Sequence, residues 1–305
     1  MPSLRYRALE KMFSVIGVNK MLDKEGDAWE KLLADYAAKQ KKPLKVPYKK
    51  LQAQGFEVIR KTVGETTVFA LRKRDKKPDK AVLYLFGGGY ILPPDPGDIV
   101  LCGQIAENCN AEVWFPLYPM APEHKLVETL ESSLSVYKEI LKRYTAENIR
   151  FFGTSSGGGQ ALSLCLYMKT RRPDVPFPGK LVLQSPGLQV PPSDKQKAEM
   201  ESLKRTDVMI PPAFFDRIAP VLAEGDDAYL LSPLTCDISG FPPIDIFYGT
   251  HEVMYAFLED MKEHCRKHDV TLNVHIGEGM MHCWGAMEFV PEAKAVRQEY
   301  FAALR

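Results

Sequence analysis

A serine held between glycines, at the junction of an apolar segment and a helix-like one, constrains this chain more than any other feature. Ile149-Arg150-Phe151-Phe152 runs into Gly153-Thr154-Ser155-Ser156-Gly157-Gly158-Gly159, and residues 161–168 follow with helical character. A strand that turns this sharply into a helix leaves no room for side chains at the flanks. Glycine at 153 and 157 meets that demand and thrusts Ser155 out at the tip of the turn, the geometry of a nucleophile elbow. The pentapeptide G-x-S-x-G also arises in Gly/Ser-rich loops and in helix N-termini that hold phosphate. The rest of the chain must therefore supply the partners of a nucleophile.

The flanking pattern fits such a turn. Strand-like segments at 56–63 and 66–72 are joined by Gly64-Glu65 as a hairpin. Further strands are expected at 81–86, 112–117, 149–152, 180–184, 244–248 and 271–276, alternating with helical stretches near 99–108, 126–144, 161–171, 255–268 and 292–304. Val82-Leu83-Tyr84-Leu85-Phe86 is apolar throughout, as in a parallel strand covered on both faces. The fold class is α/β: a mostly parallel sheet with an antiparallel edge. Residues 1–50 carry helical spacing at Trp29, Leu32, Leu33 and Tyr36 until Pro43 and Pro47 break it. Between 187 and 233, Pro191-Pro192, Pro211-Pro212 and Pro220 make poor sheet but allow short helices. That insertion follows a strand, at the edge where open α/β sheets bind ligands. We expect segments 1–50 and 187–233 to form a cap on a catalytic domain spanning 51–305; a solvated excursion is the competing reading of the insertion.

Charge narrows the partners. Lys+Arg 40 against Asp+Glu 39 gives no field for nucleic acid or an anionic membrane. Arg5, Arg7, Glu10 and Lys11 precede a short apolar run at 12–18, and Lys20, Asp23 and Lys24 follow where a signal peptide would have its cleavage site. No later run is apolar enough to span a bilayer, and the expected location is cytoplasmic. The six cysteines lack CxxC or zinc-ligand spacing and read mostly as small buried hydrophobes. No metal or organic cofactor is expected.

A nucleophilic serine needs a base, an acid to orient the base, and donors for an oxyanion. His282, in the loop after the last strand and before the last helix, is the expected base. His264 and His268 fall on a surface helix, His275 within a strand, His124 after Ala121-Pro122-Glu123, and His251 beside the acid candidate. That acid is Glu252, just past the strand at 244–248; Asp245 is a mid-strand rival and Asp260 lies in the following helix. The order Ser155, Glu252, His282 is that of nucleophile, acid and histidine in α/β hydrolases. Gly87-Gly88-Gly89 follows a strand and lets backbone N–H groups approach a ligand, with the Ser156 N–H as a further donor. A dinucleotide loop is not matched, because Leu92 takes the last position of G-x-G-x-x-G.

Three motifs give the chain a resemblance. Phe86-Gly87-Gly88-Gly89-Tyr90 is similar to HGGG-F/Y, Tyr118-Pro119-Met120-Ala121-Pro122-Glu123-His124 to Y-R-L-A-P-E-H, and Gly153-Thr154-Ser155-Ser156-Gly157 to G-T-S-A-G. Together they resemble the hormone-sensitive-lipase-like family of α/β hydrolases, in its bacterial esterase branch and the subgroup with a glutamate acid. The resemblance implies an eight-stranded sheet, a helical cap built partly from the N-terminus, oxyanion donors at Gly88, Gly89 and Ser156, and a structural role for segment 118–124. Dimers recur in that family, so a homodimer is an expectation. Two departures stand out: Phe86 replaces the motif histidine, and Ala256 stands where many members carry a second aspartate. The expected activity is hydrolysis of small, short-acyl carboxylic esters through an acyl-enzyme. Aryl formamide hydrolysis, a silent ligand receptor and an acyltransferase are the alternatives. Met209, Phe214, Phe215 and Trp284 are candidates to line an apolar acyl pocket, or else belong to the core.

Overall fold

The computed structural model describes residues 2–305. Eight strands form one sheet: β1 (Phe56–Val63), β2 (Thr66–Lys73), β3 (Lys80–Leu85), β4 (Ala111–Leu117), β5 (Ile149–Thr154), β6 (Lys180–Gln184), β7 (Ile244–Gly249) and β8 (Leu272–Gly277). Their order is β1-β2-β4-β3-β5-β6-β7-β8. β1 and β2 pair antiparallel, β2 runs antiparallel to β4, and every other pairing is parallel. This is the α/β hydrolase architecture, with the Gly64-Glu65 hairpin making the antiparallel edge.

Eleven α-helices surround the sheet among the described residues: α1 (Leu4–Ile16), α2 (Val18–Leu22), α3 (Gly26–Gln40), α4 (Tyr48–Ala53), α5 (Pro96–Asn108), α6 (Leu126–Leu141), α7 (Ser156–Arg171), α8 (Asp194–Leu203), α9 (Phe214–Leu222), α10 (Leu258–Lys267) and α11 (Pro291–Leu304). None is long and apolar enough to cross a membrane. The two-residue period of a strand sends neighbouring side chains to opposite faces. Phe151 accordingly meets Tyr137 of α6, with ring centroids 4.9 Å apart, while Phe152 meets Tyr300 of α11 at 5.4 Å. Both faces are covered, which explains why the central strands read as unbroken apolar runs.

α5 begins three residues before the periodicity alone places it. The Asp95 carboxylate accepts from the Gly97 N–H and the Asp98 carboxylate from the Asp95 N–H, a capping box with Pro96 in the first turn.

The N-terminal helices are joined to the insertion and to the loops at the C-terminal edge of the sheet. Trp29 of α3 meets Phe214 of α9 edge-on at 6.1 Å. Arg217 pairs with Asp23 at 3.0 Å and Glu25 at 2.7 Å. α3 stops at Gln40, whose amide donates to the Ile91 and Ala121 carbonyls, each at 2.7 Å. From α1, the wholly buried Tyr6 hydroxyl accepts from the Met281 N–H, and Glu10 pairs with His251 at 2.9 Å.

Candidate active site

Backbone sterics build the site from the β5–α7 turn outward. A Cβ on Gly153 would lie 2.4 Å from the Gly157 carbonyl oxygen, and one on Gly157 would lie 2.1 Å from the Leu85 oxygen. Neither position accepts any other residue. Between them Ser155 adopts φ 53° and ψ −124°, a conformation costing a non-glycine residue on the order of 1–3 kcal/mol. Its N–H is held by the Gln184 carbonyl at 2.8 Å.

Three side chains from three loops meet here. The Ser155 Oγ lies 2.9 Å from His282 Nε2, and His282 Nδ1 lies 2.6 Å from Glu252 Oε2. Glu252 is fully buried, and its Oε1 accepts from the Gly249 N–H at 2.7 Å and the Ser185 hydroxyl at 2.8 Å. Ser185 in turn accepts from the Cys283 N–H at 3.1 Å, so one hydroxyl ties the acid to the histidine loop. Burial by itself disfavours an imidazolium. Cys283, whose Sγ sits 3.5 Å from Nε2, and the Glu252 carboxylate outweigh it and hold His282 well above its usual range.

The rivals are engaged elsewhere. Asp245, near the start of β7, bonds Lys180, His275 and Asn273. Asp260 bonds Lys195 and Gln196. His124 pairs with Glu128, His251 with Glu10, His264 with the Cys236 carbonyl, and His268 with Asp237.

After β3 the chain turns through Gly88 at φ 119° and Gly89 at φ 61°. The Gly88 carbonyl accepts from the Ile91 and Leu92 N–H groups, closing the loop. Among the described residues, the N–H groups of Gly88, Gly89 and Ser156 find no protein acceptor. All three residues line the cavity that holds Ser155 and His282. Phe86 is buried and stacks on Tyr118 with centroids 4.1 Å apart, and the Tyr118 hydroxyl donates to the Phe86 carbonyl at 2.6 Å. An aromatic stack thus anchors the base of this loop.

The cavity measures about 570 Å³ and receives side chains from both outer segments, Leu22 and Tyr36 from one, Met209 and Phe214 from the other. Phe215 lines it as well. Trp284 does not: it sits on a 3-10 turn that carries its ring against Gly277 at the end of β8, away from the cavity.

Three residues at the site escaped the sequence reading. Tyr6 and Ser185 support the histidine loop. Asp207, in the insertion and 2% exposed, accepts from the Met209 and Ile210 N–H groups and from Val253, the residue after Glu252. Burial pushes its carboxyl up to about 6, against the opposing pull of His282 and those three N–H groups. Asp207 thereby fastens the insertion to the acid loop. Only the tertiary structure carries that link; no local motif signals it.

An imidazole oriented by a buried carboxylate and bonded to a hydroxyl can take the proton of that hydroxyl as it attacks an electrophilic carbonyl. Known proteins agree with the architecture. An esterase of Acinetobacter venetianus is 26% identical over 73% of this chain and 73% of its own. An esterase of Fusarium pseudograminearum is 27% identical over 81% and 79% respectively. Among solved structures, an esterase/lipase from an uncultured bacterium superposes with TM-score 0.82 at 22% identity, covering 99% of this chain and 98% of that one. An esterase described as from the bacterial hormone-sensitive lipase family gives 0.78 at 20% identity over 97% of each chain. Residues 82–286 match the family described as alpha/beta hydrolase fold, and the chain belongs to that family.

Proposed function

We propose that this chain is a carboxylesterase-type serine hydrolase with Ser155 as nucleophile, His282 as general base and acid, Glu252 as the acid that orients it, and Gly88, Gly89 and Ser156 as oxyanion donors. The observation that carries this reading is the unbroken hydrogen-bond line from Ser155 through His282 to Glu252 beside three N–H groups without protein acceptors. The curated relatives named as esterases support the same activity. His282 takes the Ser155 proton as the oxygen attacks an ester carbonyl, and the backbone N–H groups receive the developing oxyanion. His282 then protonates the departing alkoxide, and water activated by the same imidazole frees the acid from the acyl-enzyme. Segments 1–50 and 187–233 act as the cap, since side chains of both line the cavity and pack on each other. All six cysteines are free, in accord with a reducing, cytoplasmic setting.

A panel of esters graded in acyl length, run beside an aryl formamide, tests the reaction class. Short-acyl esters should turn over faster than the formamide; the reverse order would assign the site to amide hydrolysis.

The oxyanion loop makes a separate claim. Gly88→Pro removes one donor and demands a φ near −65° where the loop holds 119°. Loss of a single such donor costs about 10²–10³ in kcat, and that loss is the floor expected here. Phe86→His, by contrast, should lower the melting temperature by disturbing the stack on Tyr118 yet keep kcat within about tenfold, roughly 1.4 kcal/mol in the barrier. Equal, mild losses in two variants shown to be folded by circular dichroism would withdraw the oxyanion role from this loop.

A further inference from the structure

The cavity's lining changes character from one side of Ser155 to the other. Toward α2, α3 and α9 it is apolar. Toward α5 and α11 it includes Tyr84, Asp98, Thr154, Gln184 and Arg297. Most of these polar groups are already engaged. Asp98 accepts from the Tyr84 hydroxyl at 2.8 Å and the Asp95 N–H at 2.9 Å. Arg297 donates to the Gly285 and Ala286 carbonyls and to Gln104.

Gln184 is different. It ends β6, its carbonyl holds the Ser155 N–H, and its side chain is wholly buried. Among the described residues, neither its Nε2 nor its Oε1 has a hydrogen-bond partner, and the Tyr300 hydroxyl, also on the α11 side, has none either. Both sit close to Gly285, just past the histidine loop: a Cβ placed there would lie 3.0 Å from Gln184 Nε2 and 2.4 Å from the Tyr300 oxygen. A buried amide with both functions unmet costs roughly 1–3 kcal/mol for each group left unpaired. A hydrocarbon chain in contact with it would leave that cost in place.

We propose that the α5/α11 side of the cavity is a subsite for a neutral hydrogen-bonding group of the substrate, a hydroxyl or a carboxamide, which the Gln184 side chain turns outward from the cavity wall to bind through one donor and one acceptor. The proposal rests on the esterase reading of the same cavity and narrows it to esters that carry such a group near the reacting carbonyl. Charged groups fit poorly. Asp98 and Arg297 are both already hydrogen-bonded, and the unmet atoms belong to a neutral amide that offers one function of each kind. A site built to bond a polar group also rejects the analogue that lacks it, because its own buried atoms are then stranded.

The test compares matched esters on the full chain. One arm sets p-nitrophenyl 3-hydroxybutyrate against p-nitrophenyl butyrate, placing the hydroxyl on the acyl side. The other sets ethylene glycol monobutyrate against propyl butyrate, placing it on the alcohol side. In one arm kcat/KM should favour the hydroxylated ester by about tenfold, the worth of roughly 1.4 kcal/mol. In Gln184→Met that ratio should fall to near one or below, whatever the absolute rates. Because both esters meet the same variant, intrinsic reactivity and general damage cancel from the comparison. No preference in either arm of the unaltered enzyme, or a preference that survives Gln184→Met, would overturn the subsite and leave the esterase reading standing. Failure to hydrolyse any of the four esters would overturn both.

Discussion

Ser155→Ala is expected to abolish covalent labelling by an organophosphonate and to lower kcat/KM on a short-chain aryl ester by about 10⁴-fold or more. The alanine removes the hydroxyl bonded to His282 Nε2, so the base has no nucleophile proton to take and no acyl-enzyme forms. His282→Ala should cost a similar factor, and the double variant little more than either alone, because nucleophile and base act as one unit. Mass mapping of the phosphonylated peptide decides the assignment. A label on Ser156 would sink the elbow reading, since Ser156 opens α7 and its hydroxyl already lies 3.4 Å from the Tyr90 N–H.

The fold was legible wherever one local rule governed the backbone. Alternation of apolar runs with helical periods places all eight strands within a residue or two, and the central parallel strands, covered on both faces, stand out as the most apolar of them. Helix starts were less secure. The apolar period of α5 begins only at Ile99, although Asp95-Pro96-Gly97-Asp98 carries a capping signal of its own.

At the site, legibility followed sequence distance. The elbow and the glycine loop are local constellations, read from a few neighbouring residues. Glu252 and His282 could be proposed because each follows a strand at the same edge of the sheet, and the structure brings both within reach of Ser155. What supports them comes from far away. Tyr6 reaches the histidine loop across 275 residues, and Asp207 meets Val253 from an insertion whose path only tertiary packing fixes. Trp284 shows the opposite hazard: only two residues from His282 and a candidate for the pocket wall, it is carried to β8 by the left-handed Cys283 and the 3-10 turn that Trp284 itself opens. Proximity in sequence brings side chains into one site only where the direction of the backbone between them allows it.

Glu252→Gln is expected to keep the fold and lose turnover by a factor on the order of 10⁴. The Gln amide can still accept from Gly249 or Ser185 through its oxygen, so packing survives. Its NH₂ cannot stabilise an imidazolium, and where that NH₂ faces Nδ1 it selects the wrong tautomer. The same change should show in the pH profile. Glu252 helps hold His282 above its usual range, so the acid limb of kcat/KM should lie above about 6.5 in the unaltered enzyme. Below that limb the imidazole is already protonated and cannot serve as base. With the Glu252 carboxylate gone, the burial that disfavours the imidazolium meets weaker opposition, and the limb should move to lower pH while its plateau collapses. Asp245→Asn should do neither, since Asp245 bonds Lys180, His275 and Asn273 near the other end of β7. Near-normal turnover in Glu252→Gln, joined to a collapse in Asp245→Asn, would transfer the acid's role to Asp245. An unmoved limb in Glu252→Gln would mean that the Glu252 carboxylate does not set the basicity of His282.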